Sequence, residues 1–364
     1  MGFILIAVRG VHIHPVDYGG ILAEDRGDPY RFLTHRHPMP SPVAKHRQTA
    51  GNRRMSKLSC IRSGRALPGF PLVAMAALTL AGVPAACTHS PHPAGSVFRD
   101  CPACPEMVIV PPGAFVMGSP ATEKGREADE GQHTVTIGYS FAVSKGPVTW
   151  DQWEECVRSR ACDGASVEAA LRLDRDGTPT GNRVDPPRGH HPVVGVSWLD
   201  ARDYIRWLND RTGEGTYRLL SESEFEYAAR AGSTTVYGWG DQPSHEHANY
   251  GEDAAGEMGG KAEGRDRWEN STSPVCSFPA NPFGLCDMYG NVYQWVEDCY
   301  EPDGARLPAD GSAVENGDCS VRGFRSNSFE STEVTLRSAN RAYVYAPDTR
   351  GRGYLGFRVA KTLP

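Results

Sequence analysis

The sequence predicts an α+β domain with few regular elements and many loops, and three observations carry that expectation. Of 364 residues, 40 are Gly and 28 are Pro, so nearly one position in five disfavours a helix or strand interior. Only three segments carry a full helix-start signal, a hydroxyl followed three residues later by an acid or amide. The strand candidates are short and do not alternate with helices, which argues against a doubly wound parallel sheet. The same composition excludes a coiled coil, a helical repeat and an integral membrane protein, while seven Trp and twelve Phe suffice for a core.

Charge divides the chain before any element is assigned. Residues 1–86 hold eleven Lys/Arg against four Asp/Glu, a charge of +7, which leaves −13 for residues 87–364 out of an overall −6. Residues 1–54, rich in Pro, His and Arg, lack sustained periodicity and read as disordered or as the product of a start codon placed too far upstream. Residues 55–86 read as a signal peptide: Lys57, Arg62 and Arg65 precede an uncharged run from Ala66 to Ala86 that ends in small residues. The competing reading, a membrane anchor, is weakened by Gly69, Gly82 and the prolines, which shorten the apolar stretch. Lipidation at Cys87 is a minority option and the only route to a membrane. The mature chain is therefore expected in the periplasm or secreted, and at −13 with no basic cluster it excludes nucleic acid as a partner.

Within the mature part the elements follow in order. Apolar or alternating runs predict strands at Met107–Val110, Ala114–Met117 and Thr134–Ile137. Thr149 with Gln152 opens a helix carrying Trp153 and Val157. A further strand is predicted at Val193–Val196. Ser197 with Asp200 then opens a helix through Tyr204, Ile205 and Leu208, closed by Gly213. Ser221 with Glu224 opens a third through Phe225 and Ala228, with Gly232 as its left-handed end residue. From Gly240 to Ala280 there is hardly any apolar run, which predicts irregular loops of the kind that carry function or bind ions.

Cysteine usage agrees with export. Apart from Cys60 and Cys87, eight remain, an even count that reads as disulfides. Sequence leaves the connectivity open, but the shortest loops favour Cys101 with Cys104, Cys156 with Cys162, Cys276 with Cys286, and Cys299 with Cys319. The rival for Cys101-Pro-Ala-Cys104, a zinc site, lacks a second CxxC or a Cys/His pair.

A series of motifs then narrows the class. They run from Met107-Val-Ile-Val-Pro-Pro-Gly-Ala-Phe-Val-Met-Gly-Ser119 through Pro147-Val-Thr-Trp-Asp-Gln-Trp153, His191-Pro-Val-Val-Gly-Val-Ser-Trp198 and Tyr217-Arg-Leu-Leu-Ser-Glu-Ser-Glu-Phe-Glu-Tyr-Ala-Ala-Arg230. They continue with Phe283-Gly-Leu-Cys-Asp-Met-Tyr-Gly-Asn-Val-Tyr-Gln-Trp295, Leu336-Arg-Ser-Ala-Asn-Arg341 and Gly356-Phe-Arg-Val359. Over residues 99–362 the chain resembles the formylglycine-generating enzyme, or sulfatase-modifying factor, family, which also holds ergothioneine- and pyoverdine-pathway proteins. The resemblance implies a domain related to the C-type lectin fold.

Family members differ in chemistry, so the site residues decide function. The copper-dependent oxidase branch needs two cysteines, because soft Cu(I) demands thiolates. By the resemblance, Ser328 and Glu333 stand at those positions, which makes copper-dependent cysteine oxidation an unexpected activity. Ser328, Glu333 and Arg341 are the candidate catalytic residues, and Tyr293 with Arg341 the candidate substrate cleft. The bland alternative for Glu333 is a solvated loop carboxylate; His133, His190 and His191 could serve iron, against which the resemblance sets His133 and His191 at structural positions in strand edges and turns. Calcium is the implied cofactor. One family site maps onto Asp287, Gly290, Val292 and Gln294, with Gln294 where an acid is usual; a second maps onto Asn249 and the Tyr250 carbonyl, with Asp266 and Trp268 downstream. Phe324-Arg325 replaces a small-residue turn. Two functions follow: an oxidoreductase-like family enzyme acting without copper on a peptide, protein or peptide-derived ligand, or a calcium-stabilised binding module without chemistry. Sulfatase cysteine oxidation ranks third.

Overall fold

A computed structural model describes residues 93–364 apart from 164, 166–169, 174–178, 185–186, 252–267, 269–270 and 342–343. The expected signal peptide, Cys87 and Asp266 lie outside the described residues.

Two sheets form the frame. The first takes β1 (Val97–Phe98), β2 (Met107–Val110), β5 (Phe141–Ser144), β13 (Ala360–Thr362) and β8 (Tyr217–Arg218) in that spatial order, every pair antiparallel. Its central strands β2 and β5 are buried at every position, so they read as continuous runs rather than alternations. Strand β13, near the end of the chain, lies between β5 and β8 and ties the last residues to the first strands. The second sheet orders β11 (Val344–Tyr345), β10 (Asp318–Arg325), β9 (Tyr293–Tyr300) and β12 (Leu355–Phe357), with only β12 parallel to its neighbour. Strands β3 (Gly113–Met117) and β4 (His133–Ile137) form a separate two-stranded unit. Strands β6 (Ala170–Leu173) and β7 (Pro179–Val184) form another.

The three helices start where the capping boxes predicted. Helix α1 (Trp150–Arg158) begins at Thr149, whose Oγ1 accepts from Gln152 N–H at 3.3 Å while Gln152 Oε1 accepts from Thr149 N–H at 3.0 Å. Helix α2 (Trp198–Thr212) begins at Ser197 and ends on Gly213 at φ 73°, as expected. Helix α3 (Glu222–Arg230) begins at Ser221, but its left-handed end falls one residue before the predicted Gly232, on Ala231 at φ 45°. Gly232 follows at φ +91°, so the turn continues left-handed through it. Val193–Val196 does not form the predicted strand. Val193 N–H donates to Val148 O and Gly195 N–H to Arg352 O, and Gly195 at φ +78° breaks the extended run, so this buried segment pairs with two different partners instead of one ladder.

Two apolar clusters fill the interior. One stacks Trp153 on Tyr204 at 5.9 Å between ring centres, with Phe357 edge-on at 5.5 Å from Tyr204. The other gathers Phe141, Phe225 and Tyr237 around α3. All four disulfides join the nearest neighbours that loop length favoured, closing separations of 3, 6, 10 and 20 residues.

Candidate functional site

Helix α3 is the electrostatic foundation of the site. All nine of its residues are buried, including two acids one helical turn apart, Glu222 and Glu226. That spacing puts both carboxylates on one face. Glu222 takes Arg341 through two bonds, Nε to Oε1 at 2.7 Å and Nη2 to Oε2 at 3.0 Å, and Arg325 Nη1 at 3.2 Å. Glu226 takes Arg325 Nη2 at 2.6 Å and Arg230 at 2.9 Å. Burial alone would raise the Glu222 carboxyl, yet Arg341 and then Arg325 hold it below the ordinary carboxylate range. Burial likewise opposes the charge on Arg341, and Glu222 more than offsets it, holding the guanidinium above its usual value. The departure at Phe324-Arg325 thus has a structural role: Arg325 bridges both acids.

Over this foundation opens a cleft of about 480 Å³. Tyr293, Tyr300 and Tyr345 form its aromatic walls, Glu127 and Asp129 its acidic side, and Asn327 and Arg341 also line it. The two cleft residues expected from sequence, Tyr293 and Arg341, therefore meet here. Burial pushes the carboxyls of Asp129 and Glu127 up; nearby acids add to this, while Arg341 for Asp129 and Arg337 for Glu127 pull the other way. Ser326 at φ 88° and Asn327 at φ 64° lead out of β10 in the left-handed region, which non-glycine residues rarely adopt. Asn327 is 2% exposed, and its Oδ1 has no hydrogen-bond partner among the described residues.

The other expected catalytic residues lie behind the cleft. Ser328 and Glu333 are each 1% exposed and neither lines it. Ser328 Oγ accepts from Glu330 N–H at 3.2 Å, and its own N–H donates to Ser331 Oγ at 2.9 Å. Ser331 in turn donates to the Tyr293 hydroxyl at 3.1 Å, so Ser328 reaches the cleft only through a neighbour. The Glu333 carbonyl accepts from Tyr237 at 2.8 Å, and burial of this residue departs from a solvated loop position. Sequence reading missed Glu127, Asp129, Tyr300 and Tyr345. The acidic run Glu127-Ala-Asp-Glu130 is visible, but nothing local places it against residues two hundred positions later.

The two implied calcium shells differ in fit. At the first, Arg358 is fully buried and takes one oxygen of the shell, Gln294 Oε1, through Nε; its Nη2 donates to the neighbouring Cys286 and Asp287 carbonyls at 2.8 Å each and Nη1 to the Ser144 carbonyl at 3.3 Å, while the Asp287 carboxylate accepts from Cys276 N–H at 2.8 Å. Gln294 Nε2 donates to the Asp287 carbonyl at 2.9 Å and sits 3.5 Å from that of Val292. The Gly290 carbonyl accepts from Val292 N–H at 2.8 Å and from Ser326. With the neutral Gln294 oxygen taken by a guanidinium and the one carboxylate, Asp287, already bonded to Cys276 N–H, these residues do not fit a divalent cation. The second shell keeps one donor of the right kind free. Asn249 is completely buried, its Nδ2 donates to the Ser271 carbonyl at 3.0 Å, and its Oδ1 has no partner among the described residues. A buried orphan side-chain oxygen is the donor type a hard cation takes.

Few helices, two small sheets and a cleft on a buried ion-pair network define a loop-built α+β domain. Residues 93–363 match the sulfatase-modifying factor enzyme 1-like domain, and the chain belongs to the formylglycine-generating enzyme family. The chain is similar to the solved structure of PvdO from Pseudomonas aeruginosa, at 36% identity and a TM-score of 0.61, covering 75% of this chain and all of that one. It is 31% identical over 71% of its length to the inactive C-alpha-formylglycine-generating enzyme 2 of Mus musculus, spanning 86% of that protein. It is 32% identical over 71% of its length to the serine/threonine-protein kinase pkn1 of Chlamydia caviae, but spans only 38% of that protein.

Proposed function

We propose that the domain is an exported, non-copper member of its family that acts on a peptide or peptide-derived ligand held in the Tyr293–Arg341 cleft. The observation that carries this reading is the pair of carboxyls, Glu127 and Asp129, raised by burial and set among three tyrosines. Carboxyls raised above their ordinary range suit proton transfer to or from a bound group. Arg341 is neutralised by Glu222, so its role is to fix the cleft wall and to present what remains of its donor capacity. All eight described cysteines are in disulfides, which supports chemistry without a thiolate-bound copper and agrees with an oxidising compartment. Calcium, held by Asn249 Oδ1 and the Tyr250 carbonyl, would fix the loop that carries them.

A second reading, a binding module without turnover, is favoured by two observations. Ser328 and Glu333 are buried off the cleft, and the mouse relative is named inactive. Three measurements separate the possibilities. Incubating the protein with copper and a cysteine-containing sulfatase peptide should leave the peptide mass unchanged; a formylglycine product would sink the non-copper reading. Against candidate peptides, Asp129→Asn should abolish turnover while retaining binding, whereas binding with no turnover in the wild type, unaffected by Glu333→Gln, establishes the module. Chelation should lower the melting midpoint of the wild type and leave Asn249→Ala unmoved; equal response in both removes calcium from this site.

A further inference from the structure

We propose that Cys101-Pro-Ala-Cys104 is a thiol–disulfide exchange site, separate from the cleft and distinct in behaviour from the other three bridges. The bridge closes the smallest loop of the four, three residues, so chain entropy protects it least against opening. Its two sulfurs sit in different surroundings. Cys104 is completely buried in the apolar cluster that also holds Met107, whereas Cys101 is partly exposed. Arg211 Nε donates to the Cys101 sulfur at 3.3 Å. No other described cysteine sulfur accepts from a cation; those of Cys299 and Cys319 point to the Glu315 carbonyl. The exposed guanidinium also lies 5.4 Å from the Trp207 ring centre, and Arg211 stands in the last turn of α2. The adjacent acid, Asp100, is engaged by Lys361 at 2.7 Å and by the Tyr217 hydroxyl, so the nearest carboxylate is already compensated. Arg99 turns to the Pro102 carbonyl.

A partly exposed first cysteine whose sulfur bonds a cation, with a buried second cysteine three residues on, is the arrangement that makes a CxxC pair reactive. The co-reactant is a dithiol. One of its thiolates attacks Cys101 Sγ, the Cys101–Cys104 bond breaks, and Cys104 leaves as a thiolate that takes up a proton. The second thiolate of the dithiol then attacks its own sulfur in the mixed disulfide and releases Cys101 as a thiolate stabilised by Arg211. One dithiol becomes a disulfide, one protein disulfide becomes a dithiol, and two electrons are transferred.

Titrating the full-length protein with dithiothreitol, then alkylating and mapping by mass spectrometry, tests this directly. Cys101 and Cys104 should be modified first, while the other six described cysteines remain bridged. In the selectively reduced protein, Arg211→Gln should slow alkylation of Cys101 at neutral pH by about fivefold, the effect of a thiol pKa higher by about 0.7. Cys104→Ser should form a stable mixed disulfide at Cys101 with oxidised glutathione. The proposal is overturned if the four bridges open together, if another opens first, or if the Cys101 alkylation rate is the same in wild type and Arg211→Gln. The order of opening is read in the wild type, so poor folding of a substituted chain does not blunt that measurement.

Discussion

Arg341 and Arg358 are both buried guanidiniums in this domain, but they differ in whether carboxylates satisfy them. Arg341 meets Glu222 through two bonds and Asp129 Oδ2 at 3.7 Å, and also donates to the Glu301 carbonyl at 2.7 Å. Arg358 donates instead to backbone carbonyls and one side-chain amide. The first arrangement couples the cleft to protonation, because its partners titrate. The second rests on acceptors that do not titrate, although burial pushes the Arg358 guanidinium itself down to about 9 against the pull of the Asp287 charge, and it sets a cation beside the Asp287–Gln294 loop where the family resemblance implied calcium.

The largest expected effect comes from emptying the carbonyl cradle. Arg358→Met should cost about 3–5 kcal/mol, because several buried acceptors lose their donor at once, and urea unfolding measures it. Millimolar calcium should recover part of that loss in the variant. If chelation destabilises a wild-type background carrying Asn249→Ala, the cradle holds guanidinium and cation together, and the difference between the two arginines narrows to one of degree.

Next comes Glu222→Gln, which leaves Arg341 and Arg325 short of a carboxylate. It should cost about 3 kcal/mol at neutral pH and reduce ligand binding in the cleft. Because the Glu222 and Glu130 carboxyls are held below the ordinary range, the stability they confer is present above the unfolded carboxylate pKa and is lost as pH falls through their folded values. Glu222→Gln should therefore flatten the acid limb of the stability profile; an unchanged limb would place acid sensitivity elsewhere.

Asp298 runs the other way. Its carboxyl accepts from the Glu222 and Val314 backbone N–H groups, at 2.7 and 2.9 Å, yet burial and then the Glu222 charge push it up to about 7. A carboxyl raised in the folded state is better protonated there, so its contribution declines as pH rises from about 4 toward 7, by at most about 1.4 kcal/mol per pH unit. Asp298→Asn mimics the protonated acid and should remove that decline from a pH series of unfolding curves. A slope retained in the variant would assign it to another group.

The smallest effect is the control. Arg206 and Asp203 form an exposed pair on α2 at 2.7 Å. Arg206→Ala should change stability by less than about 0.5 kcal/mol. A larger loss would show that surface pairs in this domain matter as much as the buried network.

Legibility in the sequence follows the range of the interaction. Each helix start was visible because its two capping groups lie three residues apart, and each disulfide because its cysteines are near neighbours. Val193–Val196 misled because its apolar pattern reports burial, whereas strand pairing depends on which segments arrive beside it. Tyr293 and Arg341 were placed in one cleft by motif resemblance, and the structure brings them together. Ser328 and Glu333 were named for their motif positions, but only their backbone surroundings show that they sit behind the cleft wall.

By itself, then, the sequence determined the α+β character, the three helix starts, the buried strand Met107–Val110 and the family, and it favoured the nearest-neighbour bridges without fixing them. Those depend on contacts within a few residues or on whole motifs. Tertiary structure alone decided which charges meet: Arg325 with Glu226 across 99 positions and Arg341 with Glu222 across 119. No local pattern encodes such a pair, because a buried charge is stabilised only by the partner the fold delivers to it.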